Sequence, residues 1–556
     1  VRLTGSPVET VARLLLARQD DGHPALLFED ERYSWAELVE AAGERAAVLA
    51  ARRRPGPFHV GVLLDNVPEY LFWLAGAALA GAAVVGVNPT RRGGELAHDI
   101  RHTDCQLIVT DAAHAPLLDG LDLGVPPGRV VLIDDRSYPE ALAEAAGARM
   151  AVTTPAPADR LLLLFTSGST GAPKAVVCTQ ARLASIAQRT PDMFGITRDT
   201  VTYQSMPLFH GNALMANWAP VLARGATMAM RRRFSATGFL PDVRRHRASF
   251  FNYVGRSLAY ILATPAAPDD GDNPLRLGFG TEASARDREA FTRRFRCELL
   301  ENYGSSEGAI STQRTPGAPP QSIGLPPQGM DVAVVDPVTG AECPPAVFDA
   351  TGRLTNGDRA IGELVGRNVS ASFEGYYNNP EADADRLRDG WYWSGDLGYR
   401  DDKGWLYFAG RGGDWLRVDS ENFAAGPIER ILSRYPAAVM VAVYPVPDPR
   451  TGDQVMATVE LAAGAAFDPE EFHRFVAAQP DLGTKWMPRF VRITTDMPLT
   501  ASHKVEKHRL RGEHWETDDP VYWQPERGGP YEPMTADRAR AARNEFADHG
   551  RESLLG

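Results

Sequence analysis

The chain has 556 residues, 44% hydrophobic and 23% charged, the composition of an ordinary globular protein but too long for one hydrophobic core, so at least two domains are expected. A net charge of −12 argues against nucleic acid as a partner. Four scattered cysteines (Cys105, Cys178, Cys297, Cys343) form no CxxC or Cys/His cluster, which argues against a disulfide framework or a structural zinc.

No charged-then-apolar signal pattern is read at the first residues, so a reducing cytoplasm is the expected setting. Ser34-Trp35-Ala36-Glu37 is a capping box that opens a helix running to about Arg53. An apolar strand follows at His59–Leu64. The charge-free stretch Tyr70–Val87 is broken by Gly76, Gly81 and Gly86, so it reads as a buried helix from about Pro68 and a strand near Val84, not a membrane span. Peripheral contact with a membrane and the oligomeric state are left open. A helix through Leu96–His102 and strands at Leu107–Thr110 and Val130–Leu132 continue the alternation. Strands alternating with helices are the signature of parallel α/β layers.

Leu161–Phe165 is a further apolar strand. It leads into Thr166-Ser167-Gly168-Ser169-Thr170-Gly171-Ala172-Pro173-Lys174. Glycines let backbone N–H groups crowd an anion, hydroxyls add donors, and lysine adds a mobile charge. The loop is suited to polyphosphate, although a Ser/Gly turn between two strands is the plainer reading. It is not a Walker A loop, because Pro173 stands where that pattern needs its second glycine.

The alternation resumes with a helix over about Thr179–Phe194, strands at Thr227–Met230, Phe250–Val254, Leu275–Phe279 and Leu299–Tyr303, and a helix at Ala285–Phe295. From about Met330 to Gly410 short strands and turns suggest a β-rich subdomain. Arg411-Gly412-Gly413-Asp414 marks a break. A small α+β domain is expected over 412–515, with strands at Val439–Val446 and Val455–Leu461 and a capped helix at Asp468–Ala478. A polar tail with one helix near Ala536–Phe546 is expected over 516–556.

Four more groups carry chemistry. Pro207-Leu208-Phe209-His210-Gly211-Asn212 puts a histidine at a helix start, where alone it reads as structural. Asn302-Tyr303-Gly304-Ser305-Ser306-Glu307-Gly308 offers two readings. As G-x-S-x-G it makes Ser306 the nucleophile of a serine hydrolase. Alternatively Tyr303 stacks on a base, Ser306 donates to phosphate, and Glu307 holds Mg2+. Ser394-Gly395-Asp396 puts an aspartate after a turn, to accept from ribose hydroxyls or to cap the turn. Arg411 ends a strand at the break, and Lys504 lies in Pro498–Lys507.

Taken together, these motifs resemble the adenylate-forming ligases, the superfamily of acyl-CoA synthetases, firefly luciferase and the adenylation domains of peptide synthetases. The resemblance spans roughly Glu9 to Arg511. Asn88-Pro89-Thr90-Arg91-Arg92-Gly93 with Leu96-Ala97-His98, Arg417-Val418-Asp419-Ser420-Glu421-Asn422, and Asp519-Pro520-Val521-Tyr522 are most similar to the fatty-acid-transport-protein-like, very-long-chain branch. The implied fold is α/β: a large N-terminal domain of layered subdomains over 1–411 with a β-rich part, and a small mobile C-terminal domain carrying Lys504.

The resemblance also implies roles. Thr166, Ser167, Gly168, Ser169, Thr170, Gly171 and Lys174 would hold the β- and γ-phosphates of ATP. Tyr303 and Gly304 would lie by adenine, Ser306 at the α-phosphate, Glu307 on Mg2+, Asp396 on the ribose and Arg411 on the nucleotide. His210 would stand between nucleotide and acid, and Lys504 would bridge carboxylate and α-phosphate. Asn212, Met215, Asn252, Tyr253, Gly255, Gly278 and Gly280 would line the acid pocket. ATP, Mg2+ and CoA are the implied co-substrates, and a fatty acid the implied acid. The same ATP motifs would serve another acid or a small oxyanion such as nitrite, with an amine or carrier-protein thiol as acceptor. Departures from the family pattern are Ala175 after Lys174, Gly413 at the hinge, Ser420 before the Glu421-Asn422 turn, and His503 before Lys504. They touch the thiol-binding face more than the adenylation site.

Overall fold

The computed structural model describes residues 10–147, 155–166, 174–315, 317–319, 321–350, 352, 354–411, 415–418, 421–450, 452–483, 485–500, 504–549 and 551–555. Two large sheets dominate the first 315 residues. One runs in the order Val130–Leu132, Cys105–Thr110, His59–Leu63, Ala83–Gly86, Arg160–Thr166, Lys174–Thr179. All its pairings are parallel except the last, an antiparallel pair that sets Thr166 opposite Lys174. The other has eight strands. Its centre, Glu298–Gly304, Leu277–Thr281, Phe250–Val254, Val201–Gln204 and Thr227–Met230, is parallel. Pro24–Phe28 extends it in parallel, and antiparallel edge strands Glu31–Ser34 and Ser311–Gln313 close it.

The strands His59–Leu63, Ala83–Gly86 and Phe250–Val254 are buried at every position. That is why they read as unbroken apolar runs: a parallel sheet is covered on both faces. The charge-free stretch folds as the helix Pro68–Ala80, left-handed at Gly81, and then the strand Ala83–Gly86. Gly76 lets this helix press on the helix Trp35–Ala51, since a β-carbon there would lie 2.8 Å from Arg45 Cβ and 2.9 Å from the Ala42 carbonyl. The helix Trp35–Ala51 starts with the expected capping box, in which Glu37 N–H donates to Ser34 Oγ at 3.2 Å and Ser34 N–H to Glu37 Oε2 at 2.7 Å. Among the described residues no helix is long and apolar enough to cross a membrane.

Between these helices lies a polar cluster. Arg45 is 5% exposed, pairs through Nη2 with Glu69, and donates from Nε to Glu69 Oε2 at 3.2 Å. Tyr138 donates to the same oxygen at 2.7 Å and accepts from Trp73 Nε1 at 3.0 Å. Removing one member of a buried pair leaves its partner charged and desolvated. Glu69→Ala is therefore expected to lower stability by about 3 kcal/mol, read from the chemical denaturation midpoint.

The β-rich part packs Val332–Val335, Gly362–Gly366, Trp391–Arg400 and Leu406–Arg411 as antiparallel strands. Beyond it, Trp415–Val418 and Glu421–Ala424 form a two-stranded ribbon. The last sheet orders Ala438–Pro447, Asp453–Leu461, Phe490–Thr494, Val521–Trp523 and Glu532–Pro533. Its last two strands come from the segment read as a polar tail. From that segment Val521, Phe546 and Leu555 are buried with Ala442, Tyr444, Met456 and Trp515 in one apolar cluster.

Candidate active site

The described candidate residues come from the two large sheets, the β-rich part and the small domain, and the contacts among them form separate groups. Thr166 ends its strand half-buried and Lys174 begins the next, 7% exposed. Ser167, Gly168, Ser169, Thr170 and Gly171 lie outside the described residues, as do Gly413, Ser420 and His503. Lys174 Nζ sits 5.3 Å from the centre of the Tyr376 ring. Tyr376 donates to Glu307 Oε1 at 2.8 Å and accepts from Arg386 Nε at 3.2 Å. Burial lowers the pKa of the Lys174 ammonium, and the Arg386 charge adds to the fall. Polyphosphate would favour the charged form again. Tyr376 is carried here by a rung of backbone bonds, Val177 N–H to the Gly375 carbonyl at 3.0 Å and Tyr377 N–H to the Ala175 carbonyl at 2.8 Å.

A second group joins Tyr303 to Asp396, its phenol donating to Oδ2 at 2.6 Å. Burial first, then the Asp396 carboxylate, hold the phenol protonated far above its ordinary range. Asp396 is opposite Arg411 in the strand register, so both occupy one rung of the β-rich sheet. The Tyr303 hydroxyl fixes the carboxylate beside the tyrosine ring, a link between two motifs that neither displays alone.

Ser306 and Glu307 stand in the turn after the strand Glu298–Gly304. Arg182 Nη2 donates to the Ser306 carbonyl at 2.5 Å, and Gly308 is left-handed at φ 68°, where a β-carbon would lie 2.3 Å from that same Arg182 nitrogen. Gly211 faces this turn. A β-carbon on it would stand 3.5 Å from Ser306 Oγ, 3.4 Å from Leu164 Cδ1 and 3.6 Å from Met215 Sδ. His210, immediately before it, is the N-terminal cap position of the short helix Gly211–Ala213. Two residues outside the expected site set, Asn66 and Gly86, hold this loop in place. Asn66 donates to the Met206 carbonyl at 3.0 Å and accepts from Leu208 N–H at 2.9 Å. Gly86 admits the backbone of Phe209, whose carbonyl oxygen would be 2.8 Å from a β-carbon there.

A buried chain of amides leads to Asn212. Asn217 Nδ2 donates to the Tyr203 carbonyl at 3.1 Å and to Asn252 Oδ1 at 2.8 Å, and Asn252 Nδ2 donates to Asn212 Oδ1 at 2.7 Å. A backbone carbonyl only accepts, so it sets the direction of every amide after it. Asn212 is thereby turned with its oxygen inward and its NH2 outward. Asn217 lies in a π-helical turn, Leu214–Trp218, which follows directly on Gly211–Ala213.

Three of the residues expected in the pocket, Tyr253, Gly255 and Gly280, make close packing contacts of their own. Along Phe250–Val254 alternate side chains take opposite faces. Asn252 joins the amide chain, whereas Tyr253 packs with Phe251 and Phe291 in a separate core and donates to Glu301 at 3.4 Å. Gly280 makes room for the Tyr253 ring, and Gly255 for the Glu282 backbone. These two glycines serve packing between neighbouring segments.

Lys504 is brought in by the small domain. Its Nζ lies 2.7 Å from Glu282 Oε1, at the end of the strand Leu277–Thr281. The same face makes further cross-domain contacts: Tyr260 donates to Glu460 at 3.1 Å, and Arg286 Nη1 donates to the carbonyls of Ser433 at 2.9 Å and Tyr435 at 3.1 Å.

Among the described residues no group of three or more His, Cys, Asp or Glu side chains is arranged to hold a metal ion. Glu307 is 6% exposed and, with Asp383 and Asp385, acts on Lys174. A carboxylate next to substrate phosphates is a donor set that suits Mg2+, which keeps waters and phosphate oxygens in its shell.

Residues 16–377 match the AMP-binding enzyme family and residues 427–504 the AMP-binding enzyme C-terminal domain. The chain is 53% identical over 548 residues to steroid-22-oyl-CoA synthetase of Rhodococcus jostii (strain RHA1), covering 98% of this chain and 99% of that protein. It is 44% identical to the medium/long-chain-fatty-acid–CoA ligase FadD17 of Mycobacterium marinum, covering 92% of this chain and 98% of the relative. Among solved structures, ATP-bound MatB from Rhodopseudomonas palustris superposes with a TM-score of 0.77 at 26% identity, over 91% of this chain and 98% of that one.

Proposed function

The chain belongs to the AMP-binding enzyme family, as an AMP-forming acid–CoA ligase using ATP, Mg2+ and CoA, and on that premise we propose that its acid is a steroid bearing a side-chain carboxylate. The observation that carries this reading is the 53% identity, over nearly the whole of both chains, to a steroid-22-oyl-CoA synthetase. A fatty acid, the acid expected from the sequence, is the second reading and rests on the 44% relative.

The chemistry assigned to the residues follows the resemblance to adenylate-forming ligases, and their surroundings support it. An oxygen of the acid carboxylate attacks the α-phosphorus of ATP, the bond to the bridging oxygen breaks, and pyrophosphate leaves. Two anions must meet for this, so the site has to neutralise charge without adding bulk. Lys174 and the Thr166–Lys174 loop take the leaving pyrophosphate. Lys504 bridges the carboxylate and the α-phosphate. Ser306 donates to the α-phosphate, and Asp396, oriented by Tyr303, accepts from the ribose, with Arg411 on the same rung. Glu307 holds Mg2+, which when bound screens the phosphate oxygens. The small domain then turns, Lys504 leaves, and the CoA sulfur attacks the acyl carbon while AMP departs. His210 stands between the nucleotide and acid halves, and Asn212 presents its NH2 near the reacting carboxylate.

The test is CoA-dependent AMP formation with a steroid C22 acid against a series of straight-chain fatty acids. The steroid acid is expected to show kcat/KM at least about 100-fold higher, the scale by which pocket shape discriminates. A fatty acid turned over as well or better would replace the steroid reading with the second.

A further inference from the structure

Lys504 is held by a carboxylate that none of the motifs contains. Glu282 follows the strand Leu277–Thr281 with φ 68°, a left-handed backbone that an L-residue with a side chain rarely adopts. An outlier of this kind is retained where its surroundings over-determine it, and such outliers cluster at active sites. The surroundings here are rigid. Gly255 is pressed so close that a β-carbon would stand 2.1 Å from the Glu282 carbonyl oxygen. The next amide, Ala283 N–H, donates to the buried Glu301 Oε1 at 2.8 Å, and Glu301 is itself held by Arg288 at 2.6 Å. Gly280 is opposite Glu301 in the parallel register, so the segments carrying Glu282 and Tyr303 leave the sheet side by side. The carboxylate that receives Lys504 is thus fixed next to the strand that supplies Tyr303, Ser306 and Glu307.

We propose that Glu282 is a positioning residue for Lys504, acting in the adenylation half-reaction only; this rests on the assignment of Lys504 to that step. Glu282 receives the ammonium at 2.7 Å across the domain boundary. The neighbouring contact of Arg256 and Tyr260 with Glu460 docks the small domain on the same short surface. Lys504 alone is a flexible four-carbon chain, its backbone carbonyl accepting from Thr500 N–H at 2.8 Å. A fixed counter-charge narrows the positions its ammonium samples before ATP and the acid arrive. When the small domain turns for thioester formation, Lys504 and Glu282 part, and the carboxylate has no role in the second step.

The experiment uses the full chain as wild type, Glu282→Gln, Glu282→Asp, Lys504→Ala and the Glu282→Gln/Lys504→Ala double variant. Glu282 is half-exposed, and Gln keeps its length and backbone preference. Two rates are measured: pyrophosphate exchange with acid and ATP, and thioester formation from preformed acyl-adenylate and CoA. Glu282→Gln is expected to lower kcat of exchange about 10- to 100-fold, the effect of a misplaced catalytic group, with the KM for ATP and the thioester rate unchanged. Glu282→Asp is expected to recover part of the exchange rate. Adding Glu282→Gln to Lys504→Ala is expected to change nothing further. Equal losses in both half-reactions would show a structural role, faster exchange would show an inhibitory contact, and additive losses would show action independent of Lys504; each overturns the proposal. If Lys504→Ala itself retains exchange, the assignment of Lys504 falls, and the role of Glu282 with it.

Discussion

Lys504→Ala is expected to lower pyrophosphate exchange by about 100- to 1000-fold, the loss seen when one preorganised donor is taken from a developing oxyanion. ATP affinity should change little, because the groups placed around the nucleotide, Lys174, Glu307, Tyr303 and Asp396, come from other elements. Thioester formation from preformed acyl-adenylate should persist, because on the proposed mechanism Lys504 leaves the site before that step. The two half-reactions therefore separate a catalytic loss from a folding defect. Exchange at the wild-type rate would remove Lys504 from the mechanism and leave Lys174 to neutralise the α-phosphate.

The second large effect is expected at Glu307. Glu307→Gln keeps the shape and can still accept from Tyr376, whose hydroxyl now donates to Oε1 at 2.8 Å. It removes a negative charge from a pocket that holds Lys174 and Arg386 nearby. Adenylation should fall about 100-fold at fixed Mg2+, and the Mg2+ concentration for half-maximal exchange should rise, since a neutral amide is a poorer partner for a hard cation. Raising Mg2+ should restore part of the rate. A rate that is low at every Mg2+ concentration, with unchanged half-saturation, would assign Glu307 to holding Tyr376 and Arg386 instead of the ion.

Much of this architecture was legible from the chain because its signals are local. A strand covered on both faces must be apolar throughout, so His59–Leu63 and Phe250–Val254 could be read directly. The helices at Trp35 and Pro469 carry their caps, Ser34 and Asp468, beside them. Short polar edge strands such as Glu31–Ser34 and Ser311–Gln313 carry no comparable signal, since a neighbour far away in sequence makes them strands. In the segment expected as a polar tail, Val521–Trp523 is a strand for the same reason: Phe490–Thr494 offers it an edge.

The pocket shows where local reading stops. Alternation along Phe250–Val254 reveals that Asn252 and Tyr253 take opposite faces, but not which face meets the acid; a shift of one residue exchanges them. Tertiary packing decided the partners of each face, placing Tyr253 among Phe251 and Phe291 and Asn252 on Asn217. By itself, the sequence determined the kind of chemistry. Hydroxyls, glycines, lysines, Glu307 and Asp396 are needed to grip a triphosphate, and their types and order survive without coordinates. The partners that orient those groups were decided only by the fold. Tyr376 on Glu307, Tyr303 on Asp396 and Glu282 on Lys504 are contacts between distant segments, fixed by sheet register and domain docking. A hydrogen bond or ion pair is specified by position in space, and no pattern along the chain encodes that position.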